Sequence, residues 1–182
     1  PYLESFMTVS PNGCGLTVIN DSKYGCDAKE GALDLSIIRG AIYADHWGTR
    51  DEFCEYMDQG QHDFQYIIAP FHSFEACTME GLELNEKPFM ITETFHSGKL
   101  PQIFSGCTID KDNIIISAIK RSENDDGYII RCYECAGRDT QCRICISQFN
   151  LDQVFSFGHN EIKTIMISDA REIKEVDMLE RG

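Results

Sequence analysis

The chain has 182 residues with a hydrophobic fraction of 42%, enough to form a folded core, so an intrinsically disordered chain is not expected. Its formal net charge is −14, which disfavours binding to nucleic acid or to an anionic membrane surface. No apolar run approaches the ~20 residues that a membrane-spanning helix requires. Pro1 stands where an initiator methionine is expected and no signal-peptide pattern follows it, so we expect a piece of a longer chain.

In the first half of the chain, residues 15–20 form a β-branched run closed by turn formers, which predicts a strand. Residues 33–37 and 62–68 alternate apolar and polar side chains, and in the second of these runs the aromatic side chains are predicted on the inner face. Residues 73–81 are only a weak helix candidate, as are residues 50–56, because neither sustains a period of 3.6.

In the second half, residues 113–119 are apolar and β-branched, which predicts a strand buried on both faces. The acidic residues 123–127 are interpreted as a solvated turn. Strands are also predicted at residues 128–135 and 141–147, joined as a hairpin, and at residues 161–168 and 172–179. Together these patterns favour an all-β fold, an antiparallel β-sandwich with little helix.

The nine cysteines are many for this length, and their odd number cannot pair completely within one chain. A chain of this size can form a core without disulfides, so we interpret most of them as small apolar residues in a reducing cytoplasm. They are Cys14, Cys26, Cys54, Cys77, Cys107, Cys132, Cys135, Cys142 and Cys145.

Two cysteine pairs, Cys132-x-x-Cys135 and Cys142-x-x-Cys145, have the residue types of a tetrahedral zinc site. The six residues between the pairs are fewer than the ~15–20 of the usual zinc spacing, and cysteines three apart on a strand point to opposite faces. We therefore predict that residues 132–145 bind no zinc, with a zinc site as the alternative.

The remaining polar residues show no pattern of a catalytic site. The five histidines include the sequence neighbours Asp45-His46 and His62-Asp63, which are weak candidates for metal ligands. The sequence contains no Gly-x-Ser-x-Gly elbow and no glycine-rich phosphate loop. The residues alone therefore predict an acidic β-sandwich without a recognisable active site.

Several segments in order resemble a known family. Residues 15–27 (Gly-Leu-Thr-Val-Ile-Asn-Asp-Ser-Lys-Tyr-Gly-Cys-Asp), 33–39, 43–46, 56–66 (Tyr-Met-Asp-Gln-Gly-Gln-His-Asp-Phe-Gln-Tyr) and 161–165 are similar to the C-terminal domain of glycoside hydrolase family 38, the α-mannosidases, in its bacterial form. The similarity extends from about position 5 to 180. One departure is that Phe71 separates Pro70 from His72, which family members tend to place together.

The resemblance implies a β-sandwich of the galactose-mutarotase-like, or supersandwich, type, with residues 1–182 as one C-terminal domain. It also implies a parent enzyme of mannose metabolism that hydrolyses α-mannosides with retention, using an aspartate nucleophile and a zinc ion in an N-terminal catalytic barrel. The barrel is absent from these residues. We therefore expect no catalytic residue, metal ligand or cofactor in this chain, with the barrel of the same polypeptide and an α-mannoside or other carbohydrate as its partners.

The resemblance also implies that a loop of this domain approaches the active site, which gives residues 20–25 as the first candidate site. Its predicted carbohydrate-contacting side chains are Asn20, Asp21, Lys23 and Tyr24, and the alternative is an ordinary solvated turn. A second candidate comprises Asp58, Gln59 and His62, with packing between domains as its alternative. If the chain is instead a free-standing carbohydrate-binding module, Trp47 and Tyr43 are the first choices for an aromatic platform.

Overall fold

The computed structural model describes residues 5–9, 14–41 and 56–182, and divides the chain into two compact units, Tyr2–Pro88 and Phe89–Gly182. The first unit contains β1 (Ser5–Val9), β2 (Gly15–Asn20), β3 (Cys26–Lys29), β4 (Ala32–Leu35), β5 (Tyr66–Pro70) and helix α1 (Phe74–Asn85). The second contains β6 (Thr108–Ile109), β7 (Ile114–Arg121), β8 (Gly127–Glu134), β9 (Thr140–Ile146), β10 (Leu151–Phe157), β11 (Ile162–Ser168) and β12 (Ile173–Val176). We refer to the first unit as the N-terminal unit and to the second as the C-terminal unit.

The N-terminal unit has a three-stranded antiparallel sheet in the order β1-β2-β5. The central strand β2 has the predicted bounds, and its last four residues are buried. Strands β3 and β4 pair as a separate two-stranded ladder, with Leu33 and Leu35 half-buried and Asp34 exposed between them. The predicted alternation of residues 33–37 is thus confirmed over β4.

Helix α1 is longer than the weak signal in residues 73–81 indicates. It begins after Ser73, whose hydroxyl accepts a hydrogen bond from the Ala76 N–H, as an N-cap does. Its buried residues are Glu75, Cys77 and Gly81, and the Cys77 thiol contacts the Thr17 hydroxyl of β2 at 3.0 Å. Because small and polar residues form the buried face, the apolar period that reveals most amphipathic helices is missing.

The C-terminal unit is a β-sandwich, as predicted. One sheet has the order β12-β11-β8-β7 and the other β10-β9-β6, and every pairing is antiparallel. Side chains from both sheets form one buried core. It comprises Ile114, Ile130, Cys132, Ile165 and Ile167 from the first sheet and Cys142, Ile144, Ile146, Leu151, Phe155 and Phe157 from the second.

The predicted hairpin of residues 128–135 and 141–147 is wrong. Both strands exist, but β8 pairs with β7 and β11, whereas β9 pairs with β6 and β10. Residues 135–139 therefore carry the chain from one sheet to the other. Each strand buries its apolar face by stacking across the core, and this stacking produces the same alternation as direct pairing does.

Glu134 organises this crossover. It is 2% exposed, and one carboxylate oxygen accepts hydrogen bonds from the Asn113 amide and the Ala136 N–H. The other accepts from the backbone N–H groups of Gly137, Arg138 and Asn160. Burial raises the pKa of Glu134, but the hydrogen bonds, led by that from Asn160, outweigh burial and lower the pKa to about 2.

The acidic turn of residues 123–127 joins β7 to β8, as predicted. Residues 123–126 are exposed, and the turn closes through a hydrogen bond from the Ser122 N–H to the Gly127 carbonyl. Gly127 lies directly against the backbone of β11, where an added Cβ would clash with the Ile167 carbonyl oxygen and with the Ser168 Cα. Only glycine fits at this point.

Two further strand predictions need correction. Strand β5 begins at Tyr66 instead of residue 62, and Tyr66 is 52% exposed instead of lying on an inner face. Strand β7 is buried on both faces only at Ile114 and Ile115. From Ser117 onward it is partly exposed, because it is the edge strand of its sheet and a register shift between Ile116 and Ala118 interrupts its pairing.

In the described part of the chain, no helix is both long and apolar enough to cross a lipid bilayer.

Candidate functional site

The loop of residues 20–25 begins at the end of β2 and is shaped by Asn20. This side chain is 1% exposed, and its carbonyl oxygen accepts hydrogen bonds from the backbone N–H groups of Ser22 and Lys23. The main-chain oxygen of Asn20 accepts a hydrogen bond of 3.1 Å from the Asn85 amide at the end of α1. Asn20 thus closes the turn through Ser22 and Lys23, and its own side chain is buried.

Asp21 joins the loop to the segment that leads into β5. The Gln65 N–H donates to one carboxylate oxygen at 3.0 Å, and the Asp21 N–H donates to the Gln65 carbonyl at 3.2 Å. The Ser22 hydroxyl donates to the other carboxylate oxygen at 2.9 Å. The pKa of Asp21 is lowered, with the hydrogen bond from Gln65 as its largest cause. Asp21 is therefore an ionised anchor of the loop.

Lys23 and Tyr24 lie at the outer part of the loop. The Lys23 ammonium is 5.6 Å from the centre of the Phe64 ring, within the range of a cation–π contact. Tyr24 is 59% exposed. A primary ammonium and a phenol are side chains that can hydrogen-bond to sugar hydroxyls, and their contact with a carbohydrate stays a prediction.

The structure adds an aromatic pair to this site. The rings of Phe64 and Tyr66 are stacked, with centroids 6.3 Å apart and planes inclined by 18°. We call Phe64 and Tyr66 the aromatic pair. Sequence reasoning assigned both residues to an inner face and missed them as site residues, although the His62-x-Phe64-x-Tyr66 alternation already placed them side by side.

The second candidate, Asp58, Gln59 and His62, forms a compact turn ahead of the aromatic pair. The ring Nε2 of His62 is 2.7 Å from the Asp58 carbonyl oxygen, and the Gln59 amide donates to the Met57 carbonyl at 3.4 Å. Asp58 has a positive φ of 58°. These contacts stay within the turn, which favours a role in its shape. The residues Tyr43, Asp45, His46 and Trp47 lie outside the described residues.

The four cysteines of the predicted non-zinc segment lie in different surroundings. Cys132 and Cys142 are fully buried in the core, whereas Cys135 and Cys145 are half-buried. Burial, with a smaller contribution from the neighbouring thiols, raises the pKa of Cys132 to about 12, and burial also raises that of Cys142. Within the described ranges, no group of three or more His, Cys, Asp or Glu side chains is placed to hold a metal ion. The absence of zinc stays a prediction.

Two family models match the chain, one on each side of its middle. The glycosyl hydrolases family 38 C-terminal domain matches residues 1–47, which include β1 to β4 and the loop of residues 20–25. The glycosyl hydrolases family 38 C-terminal beta sandwich domain matches residues 113–181, which include β7 to β12. The chain belongs to the C-terminal domains of glycosyl hydrolase family 38. The resemblance to family 38 noted in the sequence is thereby confirmed, whereas its bacterial form stays a prediction. The second match falls on the observed sandwich.

Two curated proteins are similar to this family 38 chain. Alpha-mannosidase G of Dictyostelium discoideum is 30% identical over 135 residues, which are 69% of this chain and 11% of that protein. Alpha-mannosidase 2C1 of Homo sapiens is 23% identical over 150 residues, which are 80% of this chain and 14% of that protein. The chain thus spans only a small share of the length of either relative. No solved structure matches it significantly.

Proposed function

We propose that this chain is the C-terminal part of an α-mannosidase-like glycoside hydrolase whose catalytic domain belongs to the same polypeptide. The observation that carries the proposal is the pair of family 38 C-terminal matches, over residues 1–47 and 113–181. The names of both relatives add support, because each is an alpha-mannosidase much longer than this chain.

The chemical step of the proposed enzyme is retaining hydrolysis of an α-mannoside by a carboxylate nucleophile and a carboxylic acid of the catalytic domain. By the family resemblance, a zinc ion in that domain holds sugar hydroxyls. The bacterial origin of the parent and its place in mannose metabolism rest on the resemblance alone.

The part that we propose for this chain is to line one side of the active site. Lys23 and Tyr24 would hydrogen-bond to hydroxyl groups of the sugar, and the aromatic pair of Phe64 and Tyr66 would stack on a pyranose face. Asn20 and Asp21 would act by positioning, since their side chains are occupied by the loop backbone, Ser22 and Gln65. Contacts of this kind favour the distorted sugar of the transition state and therefore raise kcat.

We also propose a cytoplasmic location. Among the described residues, none of the eight cysteines forms a disulfide bond, as expected in a reducing compartment.

A free-standing carbohydrate-binding module is the second candidate, and the aromatic pair is the observation that favours it. Parallel aromatic rings at a partly exposed surface suit a pyranose ring without any catalytic domain. In this case the chain alone should bind mannosides, for instance in a titration with α-methyl mannoside. In the enzyme case, binding should require the catalytic domain.

The proposed function is tested with the polypeptide encoded by the complete source reading frame. That protein should release 4-nitrophenol from 4-nitrophenyl α-mannoside, and it should release much less from the α-glucoside and β-mannoside controls. A full-length protein that folds but cleaves no α-mannoside would contradict the proposal.

A further inference from the structure

Residues 89–104, which we call the apolar segment, expose large hydrophobic side chains to an unusual degree. Seven of these side chains are each at least 66% exposed, and the surrounding residues 86–107 contain no helix or strand. The seven are Phe89, Met90, Ile91, Phe95, Leu100, Ile103 and Phe104. Proteins rarely leave so many neighbouring apolar side chains in water unless another surface covers them.

The first part of the apolar segment also has the sequence of a strand. In residues 89–95 (Phe-Met-Ile-Thr-Glu-Thr-Phe), aromatic and β-branched residues predominate, and Phe89, Ile91 and Phe95 fall on the same side in an extended chain. Among the described residues, no backbone-to-backbone hydrogen bond reaches these seven residues. The Thr94 N–H instead donates to the carboxylate of its neighbour Glu93 at 2.8 Å. A strand-forming sequence with unpaired backbone groups is the usual element of β-strand addition.

The charge of the chain argues against a second copy as the covering surface. Within the apolar segment, Glu93 and Lys99 cancel, so the segment is formally neutral, whereas each whole chain carries −14. Two copies that approach each other through this segment would bring two strongly negative molecules together. A partner with an apolar surface of different net charge avoids this repulsion.

The length of the relatives indicates where such a partner comes from. The regions matched in the two α-mannosidases make up 11% and 14% of those proteins, and the matching models describe C-terminal domains. We propose that the apolar segment docks on the catalytic domain of the same polypeptide, with residues 89–95 paired as an extended strand and Phe89, Ile91 and Phe95 in apolar pockets. This inference rests on the proposed function, since it requires that domain to exist.

Hydrogen–deuterium exchange on the full-length wild-type protein tests the proposal without any variant. The amides of residues 89–95 should exchange at least about a hundredfold more slowly than the same amides in an unstructured synthetic peptide of residues 86–98, because they are paired and covered in the protein. Exchange at the rate of the free peptide would overturn the docking. The experiment is repeated at several protein concentrations. Protection that appears only at concentrations where the protein dimerises would assign the segment to a second copy, and this too would overturn the docking.

A pair of substitutions tests the side chains. Phe89→Ser with Ile91→Ser in the full-length protein should restore fast exchange over residues 89–95 and increase cleavage by a nonspecific protease within the segment. Val154→Ser, which also removes an exposed apolar side chain from the C-terminal unit, should change neither. Equal protection in the wild type and the double variant would count against the proposed pockets.

The α-mannosidase assay on the same preparations separates the two proposals. Hydrolysis with an unprotected apolar segment would overturn the docking and leave the function in place. Protection without hydrolysis would support the docking and contradict the function.

Discussion

At the scale of single residues, Glu134 and Asp21 show how carboxylates determine the paths of loops in this chain. Glu134 gathers five N–H donors where the chain leaves one sheet for the other, and Asp21 joins the loop of residues 20–25 to Gln65. In both cases the carboxylate accepts from backbone N–H groups that a loop would otherwise leave unpaired. These roles are invisible in the sequence, because they depend on which distant backbone groups meet the side chain.

Replacing Glu134 with Gln should destabilise the C-terminal unit by about 3 kcal/mol. The glutamine amide nitrogen carries N–H donors, so it cannot accept the hydrogen bonds that the backbone N–H groups donate to the carboxylate. Chemical denaturation at pH 7 measures this change. Glu172→Gln, at an exposed position, is the control and should stay within about 0.5 kcal/mol of the wild type.

The wild type and Glu134→Gln should differ in the pH dependence of their free energy of unfolding. The pKa of Glu134 lies below its ordinary value, so the stability it provides is present above pH 4.5 and is lost as the pH falls toward about 2. The difference in unfolding free energy between the wild type and Glu134→Gln should therefore shrink steadily between pH 4.5 and pH 2. A difference that stays constant over this range would mean that Glu134 is not a buried anion.

Lys23→Ala in the full-length enzyme should lower kcat/KM for an α-mannoside by roughly ten- to a thousandfold, through loss of one hydrogen bond to the distorted sugar. Lys29→Ala, which removes an exposed lysine from β3, is the matched control and should leave kcat/KM unchanged. Thermal unfolding should be the same for both variants. Normal kinetics of Lys23→Ala would reduce the loop to an ordinary turn. Asp21→Ala is a less selective variant, because it also removes the anchor to Gln65.

At the scale of elements, the sequence predicted most strands of the sandwich but not how they pair. Strand β2 has the predicted bounds, and β7, β8, β9 and β11 lie close to theirs. Alternation reports that one face of a strand is buried, but it does not report whether that face meets a partner in the same sheet or across the core. For this reason the expected hairpin was wrong although both of its strands were right.

Other elements left too weak a signal to be predicted. Strands β1, β3, β6 and β10 were not predicted, and β3 and β6 are short and exposed. In β10 the run Asp152-Gln153-Val154 interrupts the alternation, and these three side chains are all exposed. For the candidate site, the sequence predicted the loop from its resemblance. It missed the aromatic pair, because alternation places Phe64 and Tyr66 on one side of the chain without showing that this side is partly exposed.

The observed pairing changes the basis of the zinc prediction. Cys132 and Cys142 now belong to facing sheets, and the structure surrounds them with apolar side chains of the core. Thiols with raised pKa values in such surroundings are poor metal ligands, because a metal binds the thiolate. Residues 1–182, expressed without the proposed catalytic domain and purified without chelator, should therefore contain less than about a tenth of an equivalent of zinc by mass spectrometry of the metal. One equivalent of firmly bound zinc would contradict this.

At the scale of the whole molecule, the chain consists of two units, each with its own buried strands, and both carry part of the family 38 match. We expect residues 1–182 alone to hydrolyse no α-mannoside, because retaining hydrolysis needs a nucleophile and an acid about 5–5.5 Å apart and the sequence indicates no such pair. An assay of the purified chain with 4-nitrophenyl α-mannoside checks this. Turnover that persists after further purification would mean that the catalytic residues lie in this chain.

The different exposure of the cysteines along the chain allows the opening of the sandwich to be followed in time by thiol labelling. Cys14 and Cys26 are exposed and should react with a thiol reagent within the mixing time, whereas Cys132 and Cys142 have no exposed surface. Their two thiols become reactive only when the sheets separate. When reclosing is faster than modification, the labelling of Cys132 and Cys142, followed separately from that of the buried Cys77, measures the equilibrium population of the open sandwich. At high reagent concentration it measures the opening rate itself. The two buried thiols therefore report on the unfolding of the sandwich in the native sequence, without an added probe.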